Sequence, residues 1–428
     1  MVRVLIIGSG GREEGIKWSI AQDPDVSRVY VAPGNAGTHS HEKCENANLE
    51  VDDFPGIYKF FQENNIEVIV VGPEKPLVDG ISDYFHSRGL GNRIFGPNSA
   101  GAQIESDKFF SFDVMNLAGI PQANGIKCRG EEEVIRAIQE LSRWGVLPVL
   151  KARGLTGGKG VGVYDSIEQA LADVRKHTEL YGNDVLVSER LYGPEFSVFG
   201  ISDGEKVVPI PISVQDHKRL LDNDKGPNTG GMAAYCPVPF ADPSLVKLVA
   251  DTMMTPAVQE MRRRGIDYRG FLYAGVIKTK DGLKILEYNC RLGDPETQPL
   301  VMMLQNGLYK PIQAALEGKL DESMMKVKEG STCCIVLARR EYPGKIEGNL
   351  PISGLEDVLS MPDVLVLHAG TTMKEGRVVT SGGRNLNVLA YGKTIREAVD
   401  KAYGAAGKIS IPGGFHYRKD IAAQALAA

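Results

Sequence analysis

The chain has 428 residues, of which 43% are hydrophobic and 24% charged, with a formal net charge of −5. These values exclude a small stapled scaffold and a wholly disordered chain, and they give no basic footprint for nucleic acid, although a local patch could hide in that total. Glycine alone stands out, with 49 residues, where average usage would give roughly 30.

Residues 1–103 show the pattern of a parallel α/β domain. Apolar runs at Val2–Ile7, Arg28–Val31, Val68–Val71 and Arg93–Phe95 predict strands, with helices predicted at Glu13–Ala21 and Phe54–Asn64. Each run empties into a glycine or proline turn: GSGG at 8–11, APGNAG at 32–37, GPEKP at 72–76 and GPN at 96–98. Such turns at the carboxyl ends of parallel strands are where open sheets take ligands. Gly8 and Gly10 begin a G-x-G-x-x-G spacing, but Glu13 holds its third position. Ala32-Pro33 stands where an acidic ribose ligand is needed, which argues against a dinucleotide. The amides of Gly10 and Gly11 are candidates for a phosphate at a helix start, although a tight turn without a ligand reads the same.

Residues 104–327 carry most of the chemistry, with a lid expected over about 122–192. In VLKARGLTGGKGVGV (149–163), two strand-like runs flank a loop containing Gly154, Gly157, Gly158 and Gly160. Backbone without side chains can lie close against a triphosphate. This is not a Walker loop, because Arg153 replaces its first glycine and Gly160 follows Lys159. Lys151 is then a strand lysine beneath a glycine flap, and Lys108 a second cationic contact unless it is a solvated helix lysine. In VLVSERLYGPEFSV (185–198), Glu189, Leu191 and Glu195 lie in a strand-to-strand connection that can serve an adenosine. Exposed hairpin glutamates would look the same.

The run LKILEYNCR (283–291) follows an Asp281-Gly282 turn signal and predicts a hairpin with Phe271–Ile277. A side-chain period of two then puts Glu287, Asn289 and Arg291 on one face. Polar groups closing an apolar strand are costly without a partner. Mg²⁺ carrying phosphates supplies one: Glu287 and Asn289 offer hard oxygen ligands, and Arg291 offsets transferring phosphoryl charge. The solvent face of an edge strand is the alternative, and the charged loop Gly293-Asp294-Pro295-Glu296 that follows favours the metal.

Residues 328–428 read as a mixed α/β tail, with strands at Thr332–Leu337, Val364–His368 and Leu386–Tyr391, an SGGR motif at 381–384 and a helix at Thr394–Ala405. Six cysteines without a C-x-x-C pair predict reduced, packed thiols. No apolar run reaches the roughly 20 residues of a membrane span, so no membrane and a cytoplasmic location are expected.

Together the motifs resemble the ATP-grasp ligases and, among them, the phosphoribosylamine–glycine ligases. GSGGRE (8–13), APGNAGT (32–38), GPEKPLVDG (72–80), QDHKR (215–219), GPNTGGM (226–232), GFLYAG (270–275), EYNCRLGDPETQP (287–299) and HAGT (368–371) carry the resemblance, in order. It implies an N-terminal parallel α/β domain of pre-ATP-grasp, Rossmann-like type, central ATP-grasp domains and a small mixed α/β C-terminal domain. It implies ligation of glycine to 5-phosphoribosylamine through a glycyl phosphate in purine biosynthesis. ATP would be the co-substrate, Mg²⁺ or Mn²⁺ the metal, and the enzyme a stand-alone monomer or weak homodimer. Lys108, Lys151, Gly157, Gly158, Lys159, Gly160, Glu189, Leu191 and Glu195 would hold ATP, Glu287 and Asn289 the metal, and Arg291 with Lys151 would face the reacting phosphates. Phosphoribosylamine would lie against Gly10, Gly11, Arg12, Glu13 and Glu74. Asp216, Lys218 and Asp294 would serve the glycine and amine end, with His217 a loop histidine rather than a base. A related ligase with another acid or amine, and a non-catalytic nucleotide-binding homologue, are the alternatives. Four positions depart from the family pattern: Glu14-Gly15 for His-Ala, Arg153 for Asp and Ala233 for Gly. Arg153 is expected to add positive charge beside the flap, and Glu14 to remove a phosphate-side donor.

Overall fold

The computed structural model describes residues 2–157 and 159–427. Its first sheet is parallel: β1 (Val2–Gly8), β2 (Val26–Pro33), β3 (Cys44–Asn46), β4 (Val68–Val71) and β5 (Ile94–Phe95), in the order β3-β2-β1-β4-β5. Val68–Val71 is buried along its whole length, as an apolar run covered on both faces must be. Successive strands are added on opposite sides of β1, so a crevice opens beyond Gly8, which pairs with Pro33. The three-residue β3 was not predicted, since so short a polar run shows no alternation.

A second sheet follows, built from β6 (Gly125–Arg129), β7 (Pro148–Ala152), β8 (Val161–Val163) and β9 (Asp184–Glu189), all antiparallel in the order β6-β9-β7-β8. The amphipathic helices Glu131–Arg143 and Ile167–Tyr181 close a core of their own with it, through Val134, Ile138, Leu141, Leu150, Val174 and Val187. The glycine loop is the β7–β8 connection.

The chain then forms β10 (Glu195–Asp203), β11 (Val207–Pro209), β12 (Gln215–Asp216), β13 (Arg219–Leu221), β14 (Lys225–Asn228), β15 (Ala233–Cys236), β16 (Arg269–Thr279) and β17 (Gly282–Asn289). The body sheet runs β11-β10-β16-β17. Because β9 and β10 belong to different sheets, the segment 190–194 joins two layers and is not the hairpin that the exposed-glutamate alternative required. The β16–β17 hairpin forms with Lys280-Asp281 at its tip and Gly282, at φ +116°, pairing with Thr279. A bulge sits inside it: Gly275 faces Glu287 while Val276 faces Ile285, leaving Leu286 extra.

The remaining strands are β18 (Ser331–Ala338), β19 (Val364–His368), β20 (Thr371–Lys374), β21 (Arg377–Thr380) and β22 (Arg384–Gly392). The fourth large sheet, β12-β15-β18-β22-β19, joins strands from both sides of residue 328, with Ala233–Cys236 paired to Thr332–Ile335. All six cysteines are free and buried, and burial pushes the Cys44 and Cys128 thiols up to about 11 and Cys236 to about 12. Among the described residues, no helix is long and apolar enough to cross a membrane.

Candidate active site

The bulge in β17 builds one corner of the site. The carbonyl of the extra residue, Leu286, accepts a hydrogen bond from Lys151 Nζ at 3.1 Å, so β7 reaches across to the body sheet. Lys108, in the first turn of the helix Lys108–Leu117, lies 3.5 Å from Glu287 Oε2. Burial opposes the charge on Glu287, but Lys108, Lys218 and Lys151 outweigh it and hold the carboxyl at about 2. Burial brings Lys151 down to about 8, against the upward pull of Glu287. Asn289 is buried, and its Oδ1 accepts from Arg291 Nη2 at 3.3 Å. Strand β17 ends at Asn289, so Arg291 joins this face from beyond the strand, not through the expected period of two. Its guanidinium is 2.8 Å from Glu105 and 3.3 Å from Glu74. An ionised carboxylate and an amide oxygen fit a hard divalent cation whose other ligands would be phosphates and water. Among the described residues, no group of three or more His, Cys, Asp or Glu offers another metal site.

Around this corner stand the other candidates for the nucleotide. Glu189 pairs with Lys284 at 3.0 Å and accepts from the Asn124 amide at 3.1 Å, while Leu191 lies half-buried in the connection to β10. Glu195, exposed at the start of β10, is 3.9 Å from Lys218. In the glycine loop Gly157 takes φ +59° with open space where a Cβ would point, Lys159 is exposed and Gly160 is buried. Gly158 lies outside the described residues. Arg153 does not act as expected: its Nη2 is 2.7 Å from Asp107 and its Nη1 2.9 Å from Asp184. Two carboxylates neutralise it, so it adds no free positive charge beside the flap. Asp107 also caps the helix that carries Lys108, accepting from the Phe109 and Phe110 amides at 2.9 and 3.2 Å.

Opposite Glu287 lies a group of acids that the motif reading only partly anticipated. Burial and neighbouring Glu287 raise the Asp216 carboxyl despite Lys218, and burial with Asp216 raises the almost fully buried Glu296 to about 7. Asp216 in turn pushes Lys218 well up, against burial. Glu195, Asp216, Glu287 and Glu296 thus all act on Lys218, an acidic side of the site that suits an ammonium group. Glu296 was not singled out from sequence, where it reads as one charge in a polar loop. Burial and the Arg418 guanidinium hold His217 at about 4, so it is neutral and a poor base at neutral pH.

The crevice beyond β1 opens into a cavity of about 770 Å³. Ser9, Gly10, Gly34 and Asn35 line it from the first sheet; Gly370, Thr371, Ser381 and Arg384 line it from the C-terminal segment, and Asp294 joins them. The tail residues belong to the HAGT and SGGR motifs, the only signal that could have found them. Arg384 Nη2 is 3.3 Å from Asp294, and with Arg12 it keeps that carboxyl low although burial opposes. Glu74 lies 3.9 Å from Arg12 and 3.3 Å from Arg291, and since Arg12 also acts on Asp294 in the wall, these residues tie the cavity to the β17 corner.

Two expectations, for the Gly10 amide and for Glu14, are corrected here. The Gly10 amide donates to Glu13 Oε2 at 2.8 Å, so it is not free for a phosphate, and Glu13 is itself buried between Gly8 and Gly72 with Arg12 Nε at 2.5 Å. A Cβ on Gly11 would lie 2.3 Å from Asn387 Nδ2 and 2.5 Å from Gln298 Nε2, so close packing requires glycine at that position. Glu14 turns away from the cavity and pairs with Lys17 at 2.6 Å.

The chain matches the Phosphoribosylglycinamide synthetase N domain over residues 2–105, the ATP-grasp (A) domain over 106–297 and the C domain over 332–424. It is 43% identical over 432 residues to a phosphoribosylamine–glycine ligase of Vibrio vulnificus, covering 100% of this chain and 99% of that one. It is 41% identical to the human trifunctional purine biosynthetic protein adenosine-3, where the match spans 99% of this chain but 42% of the human protein. The crystal structure of a phosphoribosylamine–glycine ligase from Thermotoga maritima superposes with a TM-score of 0.82 at 32% identity, covering 98% and 100% of the two chains. The biotin carboxylase domain of a Hydrogenobacter thermophilus 2-oxoglutarate carboxylase shares the fold, with a TM-score of 0.72 at 17% identity over 96% of this chain and 91% of that one. Matched in order by all three domains, and by relatives that span its length, this chain belongs to the phosphoribosylglycinamide synthetase family of ATP-grasp proteins.

Proposed function

We propose that the protein is a phosphoribosylamine–glycine ligase, which converts ATP, glycine and 5-phosphoribosylamine to ADP, phosphate and glycinamide ribonucleotide in the cytoplasm. The observation that carries this reading is the corner where Lys108 and Lys151 flank an ionised Glu287, linked through Arg291, Glu74 and Arg12 to Asp294 in the wall of the 770 Å³ cavity. A carboxylate oxygen of glycine bonds to the γ-phosphorus of ATP, and the bond to ADP breaks. The amine nitrogen of phosphoribosylamine then bonds to the acyl carbon of glycyl phosphate, phosphate leaves with its oxygen, and the amine loses a proton. No protein nucleophile is needed; positioning and charge supply the catalysis.

In this reading the loop over Gly157–Gly160, with Lys108, Lys151 and Lys159, holds the phosphates, while Glu189, Leu191 and Glu195 hold the adenosine. Glu287 and Asn289 hold Mg²⁺ or Mn²⁺, which when bound offsets the charge of the phosphate oxygens. Arg291 steadies the transferring group. Lys218 faces the glycine carboxylate, and Asp216 with Glu296 faces its ammonium. Arg12, Glu74 and Asp294 position the acceptor in the cavity.

The test is incubation with ATP, Mg²⁺ and freshly generated phosphoribosylamine, with ADP measured with and without glycine. Glycine-dependent ADP release is the expected result. Release only with another carboxylate would mark a related ligase, and nucleotide binding without turnover a non-catalytic homologue.

A further inference from the structure

The first helix, Gly11–Ala21, carries a buried ion pair that the chemistry above does not use. Glu14 and Lys17, one turn apart, have side chains only 1% exposed and lie 2.6 Å from each other. Burying two charges is costly unless the remaining donors and acceptors are also met. Lys17 meets all three of its own: besides Glu14, it donates to the Gly37 carbonyl at 3.0 Å and to Ser40 Oγ at 3.1 Å. Glu14 does not, since its Oε2 is buried without a partner. The pair is therefore poorly accounted for as a device for helix stability alone, and its satisfied half grips a loop.

That loop, 34–40, supplies Gly34, Asn35, Ala36 and His39 to the cavity wall. From the other side it is braced by the C-terminal segment. A Cβ on Gly37 would lie 2.6 Å from the His368 ring, and Asn35 Nδ2 donates to the His368 carbonyl at 3.2 Å and to the Ser9 carbonyl at 3.0 Å. Lys17 is the loop's tether to the rigid helix, and Glu14 fixes the ammonium in place.

We propose that the Glu14–Lys17 pair is a positioning device that sets the 34–40 loop and thereby the affinity of the cavity for the phosphorylated amine. The inference rests on reading that cavity as the acceptor site. A displaced 34–40 loop costs acceptor binding, while the Lys151–Leu286 and Lys108–Glu287 contacts of the nucleotide corner involve no residue of that loop.

The experiment is steady-state kinetics on the full chain, varying phosphoribosylamine, ATP and glycine separately, for the wild type, Lys17→Met and Ser40→Ala, with Tm measured for each. Lys17→Met is expected to raise KM for phosphoribosylamine about tenfold, with KM for ATP unchanged. Ser40 is exposed, and Ser40→Ala removes one tether bond, so an increase of about threefold with no change in Tm is expected. If Lys17→Met does not fold, Ser40→Ala decides alone. Unchanged KM for phosphoribosylamine, or an equal rise for all three substrates, would overturn the proposal. A wild type without glycine-dependent turnover would instead overturn the ligase reading and this proposal with it, so the two failures are distinct.

Discussion

Lys151 sits where two requirements conflict, because its phosphate-binding role needs a charge that its burial disfavours. Burial takes its ammonium down to about 8, with Glu287 opposing and Lys108 reinforcing the shift. The folded value is depressed, so the charge is present below about pH 8 and lost above it. The value of kcat/KM for ATP is therefore predicted to fall as pH rises through about 8. Lys151→Arg keeps its charge over that range and should abolish the decline, whatever its absolute rate; a pH–rate profile that declines identically in both proteins would refute the assignment. Glu287→Ala is predicted to lower turnover by about a thousandfold or more while the thermal transition persists, and near-normal turnover would remove Glu287 from the metal site. The strand that ends in Glu287 and Asn289 was legible, because two polar residues alternate at the end of an apolar run. Glu105 was not, since it meets Arg291 across 186 positions of sequence. Arg153 was legible as a departure but misread, because both acids that neutralise it come from other elements.

Among elements, the β13–β14 hairpin shows how a remote segment can hold a site. Its tip places Asn223 and Asp224 at φ 56° and 50°, a conformation that needs support in residues other than glycine. Support comes from the tail: Arg418, 1% exposed at its side chain, is 2.8 Å from both Asp224 and Asp420, and Asp420 accepts from the Asn223 amide at 2.7 Å. The two ends of this hairpin continue into Asp216–Lys218 and Thr229–Gly231, and the Thr229 amide bonds the Lys218 carbonyl at 2.8 Å. Arg418→Met is predicted to cost about 2 kcal/mol of stability and to speed amide exchange across 219–228. Unchanged exchange there would show that the hairpin holds itself. Long apolar strands such as β1, β4 and β18 were readable from periodicity. The short polar hairpins β13–β14 and β20–β21 were not, because without apolar alternation their pairing leaves no local trace.

At the scale of the molecule, the sheet β12-β15-β18-β22-β19 joins the central and C-terminal segments. Cutting the chain after residue 327 would strip β18 from β15 and leave an apolar, unpaired edge. The fragment 1–327 is predicted to aggregate and to lack a cooperative thermal transition; a soluble fragment that melts cooperatively would show the shared sheet to be dispensable. The positions of β1, β2, β4 and β5, the β7–β8 and β16–β17 strand pairs and the resemblance to a ligase family were determined by the sequence alone, since each rests on spacing within a few residues or on motifs in order. Tertiary structure alone decided which charges are free. It gave the Gly10 amide to Glu13, set Arg153 between Asp107 and Asp184, joined Arg12 to Arg291 through Glu74, and placed Glu296 beside Asp216. The reason is that a charge is set by its neighbours within a few ångströms, and in a folded chain most of those neighbours come from elsewhere in the sequence.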